Sequence, residues 1–237
     1  MKVYRPNFEK RGGTVTAVFQ ETVSGVILKA AKIDEQEWRH MLLNAVPKVQ
    51  GSVNGQRLTC MCVDCDGDAL VCQVEHARPG VVWHWRKERQ PVFMVDEKIS
   101  PVPLVTVIAQ SVEDNEILML AYTDEPGWRQ TIETGFGSYY STSRKISWVK
   151  GEESGNKQRI EELLVSERGD LLLYRVTQLG PDGKPGVACH TNARTCFYRT
   201  IIAGGDSLPA PDATANEALP VVNLPVHPNL QTVGYYG

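Results

Sequence analysis

Apolar and polar positions along this chain fall into short β-branched runs separated by turn residues, and the same succession occurs twice. The first run, Val15-Thr16-Ala17-Val18-Phe19-Gln20, leads to the turn pair Ser24-Gly25 and a second apolar strand around Ile27-Leu28. A short helix follows, with acidic residues in its first turn and Asp34 as N-cap; in the second copy Thr123 takes that place. Later strands are predicted at Leu58–Val63 and Ala69–Val74, and again at Ile160–Val165 and Leu171–Val176. Gly67 and Gly169 mark the tight turns between them. Such halves read as α+β, dominated by antiparallel sheet.

The repetition extends to identities. Val15–Gln20 returns as Val105–Gln110, Ile27-Leu28 as Ile117-Leu118, and Trp38-Arg39 as Trp128-Arg129. Further on, Gln56-Arg57 matches Gln158-Arg159, and Gly67-Asp68 matches Gly169-Asp170. So many identities in one order define a fused duplication, with halves at 1–98 and 99–204 and a Pro-rich tail at 205–237. Trp38 and Trp128 recur at equivalent helix positions and are expected in the core, and His227 in the tail is expected in solvent.

The halves differ where chemistry would sit. The second carries an extra segment, Thr134 to Arg144, that the first lacks. Asp64-Cys65-Asp66 in the first half faces Ser166-Glu167-Arg168 in the second. Cys189 and Cys196 align with Trp83 and Gln90, while His190 aligns with His84. A permanent guanidinium charge at Arg168, where Asp66 stands in the other copy, excludes a cation. One of two metal sites is therefore expected to have been dismantled.

The surviving candidate is built on Asp64-Cys65-Asp66-Gly67-Asp68. Carboxylates suit a hard cation such as Mg²⁺, and a thiolate selects a softer one such as Zn²⁺. On an extended strand Cys65 would face opposite to Asp64 and Asp66. Further thiols are available only at a distance, in Cys189-His190-Thr191 and Cys196. A C-x₆-C spacing is not that of a zinc ribbon or finger, so it gains meaning only together with the first stretch. Cys60, Cys62 and Cys72 read as small buried apolar residues.

Composition excludes several alternatives. With 237 residues, 42% hydrophobic and 22% charged, the chain is ordinary for a soluble globular protein. A formal net charge of -3 gives no electrostatic reason to expect nucleic acid or an anionic membrane as partner. The N-terminus lacks a signal-like apolar region and no run approaches membrane-spanning length, so reduced thiols and a cytoplasmic location are expected.

The runs Tyr140-Ser141-Thr142-Ser143-Arg144, Trp148–Asn156, Cys189-His190-Thr191 and Cys196-Phe197-Tyr198 resemble phosphoribosyl-AMP cyclohydrolase of histidine biosynthesis, over about residues 103–200 and more thinly over 14–90. The resemblance implies an intertwined homodimer whose Asp-Cys-Asp-x-Asp motif gives its aspartates to Mg²⁺ and its cysteine to Zn²⁺. Two cysteines of the partner subunit complete the zinc site. Carried over, magnesium falls to Asp64, Asp66 and Asp68, and zinc to Cys65, Cys189 and Cys196. Because the motifs lie in different halves, the chain would be an intrachain pseudo-dimer with one working site, either monomeric or dimerising further.

The resemblance implies a zinc-dependent opening of the adenine ring at N1–C6. His190 is then a proton shuttle or, equally, a structural histidine. Ser141, Ser143, Arg144 and Lys150 suit the phosphate of a purine nucleotide, or else form a solvated polar loop. Two other readings stay open: a related zinc hydrolase for another purine nucleotide or nucleoside, and a zinc-stapled binding protein without catalysis.

Overall fold

The computed structural model describes residues 6–45, 57–75 and 85–203. Trp83, His84, the tail from 205 and His227 lie outside the described residues. The fold is mixed α+β. The first half runs β1 (Thr14–Glu21), β2 (Ile27–Asp34), α1 (Glu35–Ala45), β3 (Arg57–Val63), β4 (Ala69–Glu75) and β5 (Trp85–Arg86). The short β6 (Met94–Asp96) leads to β7 (Ser100–Ser111), β8 (Ile117–Thr123) and α2 (Glu125–Thr134). Then come β9 (Ser138–Ser141), β10 (Ile146–Val149), β11 (Gln158–Ser166), β12 (Leu171–Gln178) and β13 (Arg199–Ala203).

The two sheets share one wiring. In the first, β1 pairs antiparallel with β2 and parallel with β4, which pairs antiparallel with β3. In the second, β7 pairs antiparallel with β8 and parallel with β12, which pairs antiparallel with β11. Each sheet is thus mixed, because the central strand of each half has a parallel neighbour that sequence periodicity does not reveal. Strands are also exchanged. β13 of the second half closes the first sheet against β3, and β5 of the first half closes the second sheet against β11.

The central strands are buried on both faces, which is why they read as nearly continuous apolar runs. Val15, Ala17 and Phe19 face a core that holds Trp38 and Met41 of α1. Val105, Val107 and Ala109 face the corresponding core with Trp128 of α2, Tyr139 and Tyr174. The opposite faces meet in a third core, formed by Val18, Ile27 and Val71 of one half with Ile108, Ile117 and Leu173 of the other. Both tryptophans are core residues, as their spacing implied. Cys72 is fully buried, whereas Cys60 and Cys62 lie half-buried beside β13 with their sulfurs 3.6 Å apart.

The helices start alike. Asp34 accepts the Glu37 N–H at 2.8 Å while Glu37 accepts the Asp34 N–H at 3.1 Å, a reciprocal cap. In α2 the cap is Asp124, whose carboxylate accepts the Gly127 N–H at 2.9 Å. This corrects the assignment to Thr123, which is fully buried one residue earlier. Glu35–Arg39 and Glu125–Arg129 then form matching ion pairs, each of 2.7 Å.

At the junction the side-chain amides of Gln20 and Gln110 each donate to the carbonyls of both Gly25 and Asn115, at 2.6–2.9 Å. Gly25 has φ +69, and a Cβ there would come 2.3 Å from that of Asn115. Only glycine lets the two turns approach this closely. Arg175 donates to Gln110 Oε1 at 2.8 Å and to Asn115 Oδ1 at 2.6 Å. Gln110→Leu strips a buried partner from Arg175 and a donor from both carbonyls. Its expected cost is about 1–3 kcal/mol, read as a lower urea midpoint with unchanged slope.

Candidate active site

The stretch Asp64–Asp68 is the turn between β3 and β4. Asp64 N donates to Ala69 O at 3.0 Å and Gly67 N to Asp64 O at 3.3 Å, with Gly67 at φ +77. Asp64 Oδ1 accepts the N–H groups of Asp68 and Ala69 at 2.7 and 3.1 Å. Burial pushes its carboxyl up to about 6, against the opposing pull of the Ala69 N–H. Because the chain has left the strand, ligand atoms of Asp64, Cys65 and Asp66 lie within 4.8 Å of one another. This corrects the expectation that Cys65 faces away from its neighbours. Asp68 is drawn to Lys10, at 3.0 Å.

The Cys189–Cys196 loop is folded on itself and fastened to β8. Ala188 N and Cys189 N donate to the carbonyls of Arg194 and Ala193, and Asn192, at φ +62, turns the chain. Thr195 Oγ donates to Ile117 O at 2.7 Å and Cys196 N to Leu118 O at 2.8 Å. Arg194 clamps the same loop to Asp114 and Glu116, at 2.6 and 2.8 Å.

These two elements meet. Ligand atoms of Cys65, Cys189 and His190 lie within 4.8 Å of one another, and His190 Nδ1 is 3.8 Å from Cys65 Sγ. Cys196 is not in that group; it acts on the Cys189 and Cys65 thiols electrostatically. The thiols of Cys196 and then Cys65 hold Cys189 far below the usual thiol range, with Thr191 adding its hydroxyl 3.0 Å away. The Cys189 thiol, reinforced by burial, pushes Cys65 up to about 12; the thiols of Cys189 and Cys65 raise Cys196 further. Sequence reasoning missed Arg199, which donates to the Cys65 carbonyl at 2.5 Å and so ties the second half to the first half's turn. Nothing in the local pattern of β13 marks that role.

The extra segment of the second half supplies β9 and the turn of the β9–β10 hairpin. At its tip the Ser141 and Ser143 hydroxyls are 3.2 Å apart, and Arg144 N donates to Ser141 Oγ at 3.1 Å. The exposed Arg144 guanidinium lies 5.7 Å from the centre of the Trp148 ring. Lys150 is set differently: it is buried, burial lowers its pKa, and the opposing electrostatic partners are Cys196 and Cys189.

The corresponding turn of the second half has no thiol. Ser166 Oγ accepts the Leu171 N–H at 3.1 Å, as Asp64 accepts that of Ala69. Glu167 lies 3.9 Å from Arg86 and Arg168 pairs with Asp170 at 3.2 Å. Arg86 pairs with Val165 in register as Arg199 does with Val63, so Trp85-Arg86 occupies the place of Tyr198-Arg199. The alignment of Gln90 with Cys196 is therefore corrected. Gln90 lies beyond β5, two residues before Val92, whose N–H donates to Gly169 O at 2.9 Å, as Asn7 N does to Gly67 O at 2.7 Å.

Fold and site together define a mixed α+β protein with a composite thiol and carboxylate centre. A family model described as phosphoribosyl-AMP cyclohydrolase matches residues 119–198. Curated relatives carry the same description. The protein from Desulforapulum autotrophicum is 41% identical over 103 residues, 44% of this chain and 78% of the relative. That from Methanoregula boonei is 48% identical over 98 residues, 41% of this chain and 75% of the relative. That from Methanothermobacter thermautotrophicus is 45% identical over 105 residues, 44% of this chain and 70% of the relative. This chain belongs to the phosphoribosyl-AMP cyclohydrolase family, a family of enzymes.

Proposed function

We propose that the chain is a fused duplication that opens the adenine ring of phosphoribosyl-AMP, in histidine biosynthesis, at one zinc site shared between its halves. The observation that carries this reading is the meeting of Cys65 with Cys189 and His190, from opposite halves, around one point. Exchange of β5 and β13 and the shared core support the pseudo-dimer, since intertwined subunits would pack in this way once fused.

Three thiols suit zinc, and Cys65, Cys189 and Cys196 would hold it. Bound there, zinc supplies Lewis acidity that lowers the pKa of water towards neutrality. Water adds at C6, and the N1–C6 bond breaks with a proton passing to N1. The exposed His190 can carry that proton at Nδ1. Buried Lys150 offsets the negative charge of the thiolates. Asp64 and Asp66 offer hard oxygen ligands to Mg²⁺, and Asp68, which pairs with Lys10 through Oδ2, would add a third. Ser141, Ser143 and Arg144 grip a phosphate of the nucleotide. Among the described residues no helix is long and apolar enough to cross a membrane. We place the protein in the cytoplasm, where its free thiols would stay reduced.

Incubation of the purified chain with phosphoribosyl-AMP, followed by ultraviolet absorbance, tests the activity directly; no ring opening contradicts it. Arg144→Ala removes a charge-assisted contact of roughly 1.5–3 kcal/mol and is expected to raise KM more than tenfold. An unchanged KM returns the hairpin tip to a solvated loop.

A second reading has one observation in its favour. His190 Nδ1 lies close enough to the thiols to complete a closed Cys₃His set, the composition of a structural zinc. His190→Ala separates the two. Lost turnover with zinc retained makes His190 a proton carrier, whereas zinc lost to a mild chelator makes it a ligand.

A further inference from the structure

The segment leading into β6, and β6 itself, roof a cavity of about 250 Å³ beside the turn Ser166–Asp170. Its charged lining is Lys32, Asp96, Arg168 and Asp170, with Tyr122 and the apolar Met94 among its walls. Both halves contribute. Arg168 and Asp170 hold in this sheet the places that Asp66 and Asp68 hold in the other, given the matched strand pairings on either side.

At the first turn, carboxylates need a bound cation before they can attract an anion. At the second, Arg168 carries that positive charge permanently, and Lys32 adds another. We propose that this cavity is a second, non-catalytic binding site, which takes a small sugar phosphate on Arg168 and Lys32. The proposal rests on the reading of the chain as a duplication whose chemistry is confined to the centre around Cys65.

Both cations now pair with the cavity's own carboxylates, Arg168 with Asp170 at 3.2 Å and Lys32 with Asp96 at 3.3 Å. The Arg168 side chain is 75% exposed and that of Lys32 42%, and ion pairs so exposed contribute little. Exchanging a carboxylate for a phosphate therefore costs little, and the phosphate offers the guanidinium two parallel hydrogen bonds. The released Asp96 and Asp170 then accept from sugar hydroxyls. The volume falls below the roughly 300–1,000 Å³ of pockets for drug-sized ligands. It suits a pentose phosphate. The roof residues Val92 and Met94, 47% and 58% exposed, provide apolar cover.

Calorimetric titration of the full chain with ribose 5-phosphate tests the proposal. Saturable binding is expected, weakened at least tenfold by Arg168→Ala and also by Lys32→Ala, and unchanged by Arg144→Ala. Phosphoribosyl-AMP turnover should be the same in Arg168→Ala as in the unaltered chain. No saturable binding overturns the proposal, as does binding that survives Arg168→Ala and disappears with Arg144→Ala. Arg168-dependent binding by a chain that never opens phosphoribosyl-AMP would refute the hydrolase reading and leave this site standing.

Discussion

Replacing Cys65 with serine is expected to abolish ring opening as completely as replacing Cys189, although over 120 residues separate the two in sequence. The reason is geometric. Cys65 lies on the β3–β4 turn of the first half, and its sulfur belongs to one cluster with Cys189 and His190 of the second. A serine hydroxyl is a poor zinc ligand, so the centre loses one of its three thiolates. Zinc content should fall with activity. The converse substitution, Glu167→Cys, should create nothing, since Arg168 stands beside it and Trp85-Arg86, not a thiol loop, fills the facing strand position. A fully active Cys65→Ser enzyme would sink the shared site.

Separating the halves should be as damaging. Residues 1–100 and 101–237, produced apart, are expected to be poorly folded, zinc-poor and inactive, and co-expression should recover activity. Each fragment would lose the strand the other lends it, β13 from the first sheet and β5 from the second. Each would also expose its side of the shared core. Val18, Ile27, Val71, Ile108, Ile117 and Leu173 are buried there, and each contributes roughly 1.5–3 kcal/mol. Their sum is comparable with the whole stability of a domain, about 5–15 kcal/mol. Strong turnover by residues 101–237 alone would contradict this, even though that fragment contains every residue matched by the family model.

Much of this was legible in the sequence, and the rest was hidden for identifiable reasons. Local pattern carries strand and helix identity, so the paired elements around Trp38 and Trp128 emerged with their core tryptophans. The parallel partnership of β1 with β4 did not, because a strand buried on both faces looks the same whichever way its neighbour runs. The stretch Asp64–Asp68 follows an apolar run, so Cys65 was placed as if on an extended strand even though Gly67 marked a turn. That turn depends on Asp64 Oδ1 bonding two N–H groups ahead, which a carboxylate-rich string does not announce. Gln90 was misaligned with Cys196 because the two-residue strand before it, Trp85-Arg86, carries no period. The repeated Gln20 and Gln110 were visible as an identity, yet their shared hydrogen bonds exist only once the two turns meet. At the site, the residue types in Cys65, Cys189 and Cys196 could be read directly. Arg199 could not, since its contact is with the Cys65 backbone.

The most direct test of the composite centre is the zinc content of the purified full chain, measured by elemental analysis after exposure to a mild chelator. In the proposed centre the thiols of Cys65, Cys189 and Cys196 would hold one zinc ion, and the turn carrying Glu167 and Arg168 would hold none. One zinc ion per chain is the expected result; two per chain, or none, would contradict the account.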